Sequence, residues 1–175
     1  MLLMTCLYQP VDVVVSKNEG PIFKVISLVG ITSAVIILTE SYISMEANDV
    51  YGWAQSKRYK YEGNNFPLEF TPKKMSKFDF SCLHPMYSGL LQITIFTCFY
   101  KELTLGRLFY SAFICMGIFI GAHFEEQELF KLKDFNYAKY CSIIPNKFLP
   151  DINVFFKSEK EMDGLRERVN KECCQ

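Results

Sequence analysis

Two long apolar runs constrain the fold of this chain more than any other feature. Ile22 to Ile43 (IFKVISLVGITSAVIILTESYI) is almost uncharged between Lys24 and Glu40, and Leu105 to Phe124 (LGRLFYSAFICMGIFIGAHF) carries only Arg107 near its start. A helix of about 20 apolar residues crosses the ~30 Å hydrocarbon core of a bilayer. Both runs therefore predict transmembrane helices.

A third apolar run, Met86 to Tyr100, is shorter and contains Gln92 and two threonines. It can still cross most of a bilayer where its polar groups face protein. The connection KELT is short enough to make this run and the next an antiparallel hairpin. We expect an all-α integral membrane bundle of about three transmembrane helices with a C-terminal helical hairpin. The alternative is a soluble domain with three buried core helices.

The distribution of charge predicts the orientation of these helices. Three crossings place the connector after the first run on the same side as the C-terminal part, and these two segments hold fifteen of the 19 basic residues. Basic residues concentrate in cytoplasmic loops, so that side is predicted to be cytosolic. The net charge of zero suggests no nucleic-acid partner. The seven cysteines show no secreted disulfide pattern.

The C-terminal half divides into further predicted segments. Gly117 and Gly121 form a GxxxG pair, and such small residues predict a face that packs on a partner helix. FEEQELFKLKDFNYAKYC then reads as an amphipathic helix, which Pro145 ends. The predicted organisation is a membrane domain over 1–150 and a charged cytosolic tail over 151–175, either helical in water or frayed.

The hairpin brings two polar helix ends together at the predicted cytosolic face. His84 and Tyr87 begin the second run, where Pro85 suits the first turn of a helix, and Glu125 and Glu126 follow the third run. Acids at the end of a membrane helix are costly unless paired or hydrated, and are therefore candidates for function. Carboxylates and aromatic faces attract a cation, while phenol and imidazole offer hydrogen bonds. A sulfonium cofactor with an adenosine group fits this set.

Plainer interpretations of the same residues remain open. The two glutamates can be ordinary interfacial charges, and His84 can be a helix cap. A metal site from Cys82, His84 and His123 lacks the spacing of zinc motifs, so no metal is predicted. No catalytic nucleophile is predicted either. Cys173 and Cys174 are either acylated as a membrane anchor or plain tail residues.

Two motifs of the chain resemble the signature of a family of membrane enzymes. HPMYSGLL, an apolar helix and then FEEQELF are similar to the His-Pro-x-Tyr-x-Gly and Glu-Glu-x-x-Leu segments of the isoprenylcysteine carboxyl methyltransferase-like superfamily. The segments YGWAQSKRYKYEGNNFPLEFTP and NYAKYCSIIPNKFLP resemble its methanethiol S-methyltransferase and nurim branch. The resemblance covers roughly residues 22 to 150.

The resemblance implies a methyltransferase that uses S-adenosylmethionine and acts on a small or lipophilic thiol. The residues that it assigns to cofactor binding are His84, Pro85, Tyr87, Gly89, Gln55, Glu125 and Glu126. It implies a multi-pass protein of the lipid bilayer, in the endoplasmic reticulum or nuclear inner membrane if the source is eukaryotic. The alternative from the same branch is a nurim-like nuclear envelope protein with little or no activity.

The chain departs from the family pattern at two points. Leu83 stands where the family has an arginine before the histidine, which removes a possible clamp for a carboxylate or for the cofactor. The family also has further N-terminal membrane helices, whereas MLLMTCLYQP looks like the end of one. We therefore expect either an enzyme clipped at its N-terminus or a reduced, inactive relative.

Overall fold

The computed structural model describes residues 13–18, 20–44, 75–100, 102–131 and 136–173, and these are mostly helical. The helices are α1 (Pro21–Ser44), α2 (Lys77–Ser81), α3 (Pro85–Tyr100), α4 (Leu105–Leu129), α5 (Tyr137–Ile143), α6 (Ile152–Phe155) and α7 (Glu159–Cys173). Two short strands, β1 (Val14–Ser16) and β2 (Leu103–Thr104), pair antiparallel with Val14 opposite Thr104. The expectation of a mainly helical chain is confirmed.

Helices α1 and α4 are long and apolar enough to cross a membrane. Only 22% of the most apolar stretch of α1 and 17% of that of α4 is buried within the described part of the chain. Helix α3 has 16 residues, which extend about 24 Å at 1.5 Å per residue. Two of the three predicted crossings therefore have the required length, and the three-helix membrane bundle stays a prediction.

The chain divides into two compact units, of which the first contains residues up to Val35 together with Gly89–Gly121. In this unit α1 and α3 are joined by polar side chains. The Ser27 hydroxyl donates to the carbonyl oxygen of Phe96, and the Ser33 hydroxyl donates to Oε1 of Gln92 at 3.1 Å. Gln92 of the third apolar run thus faces α1, which meets for this side chain the condition under which the run could lie in a bilayer.

Contacts of α4 in the first unit are made near its start. The sulfur of Cys98 on α3 lies 3.2 Å from the hydroxyl of Ser111 on α4, so these helices pack side by side beyond the short connection. A side-chain carbon at Gly117, by contrast, would have no atom within 4 Å among the described residues. No described residue therefore packs closely on Gly117, and the packing predicted for the GxxxG pair stays a prediction.

The second unit contains Ile36–Ser88 and Ala122–Gln175. Its buried apolar residues form one cluster: Met75, Phe80, Tyr137, Tyr140, Ile144, Val154, Met162, Val169 and Cys173. Three of these belong to α7, so the charged C-terminal segment is a helix packed on this core rather than one lying free in water. The apolar positions 162, 165, 169 and 173 follow the period of a helix.

The single amphipathic helix expected from Phe124 to Cys141 is wrong in extent. Helix α4 continues through Glu125 and Glu126 to Leu129, and a new helix, α5, begins at Tyr137. Asn136 explains the start of α5, because its side-chain oxygen accepts from the backbone N–H of Lys139 at 3.1 Å. The N–H of Asn136 donates to the carbonyl oxygen of Cys173 at 2.7 Å, which attaches this cap to the end of α7.

Candidate functional site

His84 lies in the second unit, between α2 and α3, and a later segment of the chain holds its backbone. Its N–H donates to the carbonyl oxygen of Lys147 at 3.1 Å, and the N–H of Leu83 donates to that of Asn146 at 2.8 Å. Helix α3 begins at Pro85, as predicted, and the His84 carbonyl accepts from the N–H of Ser88 at 2.9 Å. The imidazole therefore projects from a fixed point at the mouth of α3.

The side chain of His84 is 4% exposed and lies between the two consecutive glutamates of α4. Its Nε2 is 2.9 Å from Oε1 of Glu126, whereas its Nδ1 is 3.6 Å from Oε2 of Glu125. The first contact is a hydrogen bond and the second is too long for one. Because an ionised carboxylate only accepts, Nε2 of His84 carries the proton that it donates to Glu126.

Lys147 completes the arrangement around Glu126. Its Nζ donates to Oε2 of Glu126 at 2.7 Å, so both carboxylate oxygens of this side chain are bonded. The side chain of Glu126 is 16% exposed, whereas that of Glu125 is 43% exposed. The two adjacent acids therefore differ in environment: one is enclosed by partners and the other faces outward.

Aromatic rings enclose the imidazole on its other sides. The ring of Tyr87 has its centroid 5.6 Å from that of His84, and the ring of Phe148 stacks at 5.7 Å with an interplanar angle of 27°. The Tyr87 hydroxyl is also near enough to the carboxylate of Glu125 to interact with it electrostatically. The Nζ of Lys147 lies 5.6 Å from the Phe148 centroid, within the range of a cation–π contact.

The structure thus brings together four of the seven residues that the resemblance assigned to cofactor binding: His84, Tyr87, Glu125 and Glu126. Pro85 is the first residue of α3, and Gly89 lies in its second turn. Gln55 lies outside the described residues.

Cys82 and His123, which the sequence analysis considered as metal ligands together with His84, lie in environments unlike that of His84. Cys82 is fully buried, and burial raises the pKa of its thiol to about 11. His123 is exposed, and its Nε2 lies 3.1 Å from the amide nitrogen of Gln127. Among the described residues no group of three or more metal-ligating side chains comes together.

Leu83, at the position of the expected arginine, packs against the core of the second unit. The cation beside the carboxylates comes instead from Lys147, which the sequence analysis did not single out. Lys147 and Phe148 lie in a segment without helical or strand periodicity, so no pattern marked them. The remaining signal was a basic and an aromatic residue between two prolines, Pro145 and Pro150.

A cavity of about 130 Å³ lies in the second unit, behind the segment that holds His84. Its lining residues include Phe80, Ser81, Asn146, Asp151 and Val154. Sites for drug-sized ligands usually measure about 300–1,000 Å³, so this space is too small for a nucleoside. It is also separate in its lining from the His84 cluster, which carries the recognisable chemistry.

Comparison with known proteins adds no family to these observations. No family model matches the chain, no curated protein is significantly similar to it, and no solved structure matches it. The function must therefore be argued from the site itself.

Proposed function

We propose that this chain is an integral membrane methyltransferase that transfers a methyl group from S-adenosylmethionine to a small or lipophilic thiol. The observation that carries the proposal is the buried imidazole of His84 between the carboxylates of Glu125 and Glu126. The rings of Tyr87 and Phe148 lie beside it. To a ligand that is both cationic and aromatic, this cluster offers negative charge, ring faces and hydrogen-bonding groups.

The exposed apolar surface of the two long helices supports placement in a bilayer. Phe113, Met116, Phe119 and Ile120 of α4 are each about half exposed within the described part of the chain, at 52%, 53%, 51% and 50%. Core helices of a soluble domain would bury such side chains, and a contiguous apolar surface of this kind marks contact with lipid or protein. Within this proposal α3 crosses the membrane together with α1 and α4, and the His84 cluster faces the cytosol.

The charge of the cluster suits a sulfonium ion. With a neutral imidazole, Glu125, Glu126 and Lys147 sum to one negative charge. A cation about 4 Å from that charge gains roughly 4 kcal/mol of Coulomb energy at an effective dielectric constant near 20. Part of this gain offsets the loss of water around the sulfonium.

Methyl transfer to a thiol demands alignment more than acid–base catalysis. Held beside His84, Tyr87, Glu125 and Glu126, S-adenosylmethionine would supply an electrophilic methyl group to the thiol sulfur, its sulfonium would become a neutral thioether, and the thiol proton would pass to solvent. Fixed positions for donor and acceptor, together with exclusion of water, supply most of what such a displacement needs. This agrees with a site that lacks an activated nucleophile.

The second candidate is a nurim-like nuclear envelope protein that keeps the fold and has little or no activity. The residue at position 83 favours it, because Leu83 packs into the core and supplies no cation where the family has an arginine. A membrane location in the endoplasmic reticulum or nuclear inner membrane is common to both candidates.

Titration calorimetry on the purified full chain in detergent separates the two candidates. We expect the wild-type protein to bind S-adenosylmethionine and its demethylated product, His84→Ala to abolish binding, and Glu125→Gln to weaken the binding of S-adenosylmethionine. Glu128→Gln is the matched control, because Glu128 lies on the same helix but is 74% exposed and pairs with Lys131 at 2.6 Å. Absence of heat with both ligands in the wild-type protein would favour the inactive relative.

Labelled methyl transfer to small thiols then tests the reaction itself. Circular dichroism of each variant establishes that its helices are intact before a loss of binding is assigned to the site.

A further inference from the structure

We propose that Lys147 is a positioning residue that gives the two adjacent glutamates different roles: Glu126 anchors His84, and Glu125 faces the cationic part of the ligand. The identity of the ligand rests on the proposed function above. The division of roles rests on contacts that exist without a ligand.

Both carboxylate oxygens of Glu126 already hold a partner within the protein. One of its oxygens accepts from Nε2 of His84 at 2.9 Å and the other accepts from Nζ of Lys147 at 2.7 Å. Its charge is balanced by the lysine. A carboxylate with both oxygens bonded and its charge compensated holds its neighbours in place.

Glu125 has the opposite surroundings. Its side chain is 43% exposed, and its approach of 3.6 Å to Nδ1 of His84 is longer than a hydrogen bond. The cation of the cluster, Lys147, bonds to the other glutamate. The negative charge of Glu125 is therefore the one offered to a ligand, and it should favour the charged methyl donor over its uncharged product.

Lys147 is placed to maintain this division because it acts on the cluster in two ways. Its carbonyl oxygen accepts from the backbone N–H of His84, and its ammonium group bonds to the carboxylate that His84 uses. Without the ammonium group, Glu126 and Glu125 become two similar acceptors on either side of one imidazole. The ring then has no fixed partner, and its tautomers mix.

Nitrogen-15 NMR of the histidine rings tests this division without any ligand. The chain contains two histidines, so selective labelling gives one pair of ring signals from His84 and one from the exposed His123, which serves as the internal reference. We expect a protonated Nε2 of His84 in the wild-type protein and in Glu125→Gln. Lys147→Met should change the His84 signals, and Lys147→Arg, which keeps charge and donors, should restore them. Identical His84 signals in Lys147→Met and the wild type would overturn the proposal.

Binding of the charged donor and the uncharged product tests the role of Glu125. The measured quantity is the ratio of the Kd of S-adenosylhomocysteine to that of S-adenosylmethionine. Loss of one facing charge at a partly exposed site corresponds to roughly a two- to fivefold change, so Glu125→Gln should lower this ratio about two- to fivefold. Lys147→Met should weaken both ligands without lowering the ratio. An equal fall of the ratio in Glu126→Gln would contradict the division of roles.

The two measurements test different claims, so one claim can be refuted without the other. If the wild-type protein binds neither nucleoside, the proposed function is lost. The NMR result still decides whether Lys147 fixes the imidazole.

Discussion

Replacing Gly30 by alanine should destabilise the contact between α1 and α3. A side-chain carbon at Gly30 would overlap the Phe96 ring at Cγ and both Cδ atoms, which are the part of the ring that cannot swing away. The helices cannot separate easily here, because the bonds of Ser27 to Phe96 and of Ser33 to Gln92 lie on either side along α1. Overpacking of this kind costs about 1–3 kcal/mol of the free energy of unfolding.

Gly117→Ala is the matched control, and it should change stability in the opposite direction. It lies inside α4 with open space around it, so the added methyl group meets no described atom within 4 Å. Replacing glycine by alanine inside a helix then stabilises by about 0.5–1 kcal/mol. Because the gain in helix propensity is common to both substitutions, the two variants should differ by the overpacking cost alone, roughly 1–3 kcal/mol.

Reversible unfolding in mixed detergent, followed by circular dichroism, measures this difference. Phe96→Ala removes the Cγ and Cδ atoms that the added carbon would overlap, so Gly30→Ala should cost much less stability in a Phe96→Ala background than in the wild-type protein. The packing argument is refuted if Gly30→Ala is as stable as Gly117→Ala.

Three further predictions concern the second unit. Cys82 should resist maleimide in the folded protein and react after denaturation, because burial raises its pKa to about 11 and leaves almost no thiolate near neutral pH. Mass spectrometry identifies the modified peptide, and rapid labelling of Cys82 in the native protein would contradict this prediction. Arg166→Met should lower the free energy of unfolding by about 1.5–3 kcal/mol, since the guanidinium donates two hydrogen bonds to the carbonyl oxygen of Met75. Arg168→Met, which removes only an exposed ion pair with Glu172, should lower the free energy of unfolding by less. Hydrogen bonds from the hydroxyl and backbone N–H of Ser158 lower the pKa of Glu161 below its ordinary 4.5. Their stabilisation of the start of α7 is therefore complete above that pH and is lost as the pH falls through the lower, folded pKa. Ser158→Ala removes the hydroxyl and keeps the backbone bond, so it should reduce this acid dependence in the far-UV circular dichroism, and an unchanged acid transition would refute the argument.

The sequence predicted the elements whose signals are local. The apolar runs, the start of α3 at Pro85 and the approach of His84 to Glu125 and Glu126 all follow from helix length, proline geometry and a short connection. The packing of α7 on the core could also have been predicted from the sequence, because Met162, Val169 and Cys173 share one helical face.

The partners of His84 from the later segment could not be predicted in this way. Asn146 and Lys147 contact Leu83 and His84 through the backbone, and carbonyl groups carry no sequence signal. The role of Lys147 depends on a non-local pairing, and local pattern gives no information about which distant loop closes on a site. The break between α4 and α5 was missed because Asn136 acts as a helix cap within a stretch that otherwise has helical character.

The backbone pairing of Leu83 and His84 with Asn146 and Lys147 also sets an order of events during synthesis. The partners are made about sixty residues later, which at 5–20 residues per second is roughly 3–12 seconds. Both apolar helices of the hairpin are synthesised within that interval, before the segment that pairs with His84. A nascent chain that ends before Asn146 would therefore contain both apolar helices, while His84 would lack the backbone partner that Lys147 provides.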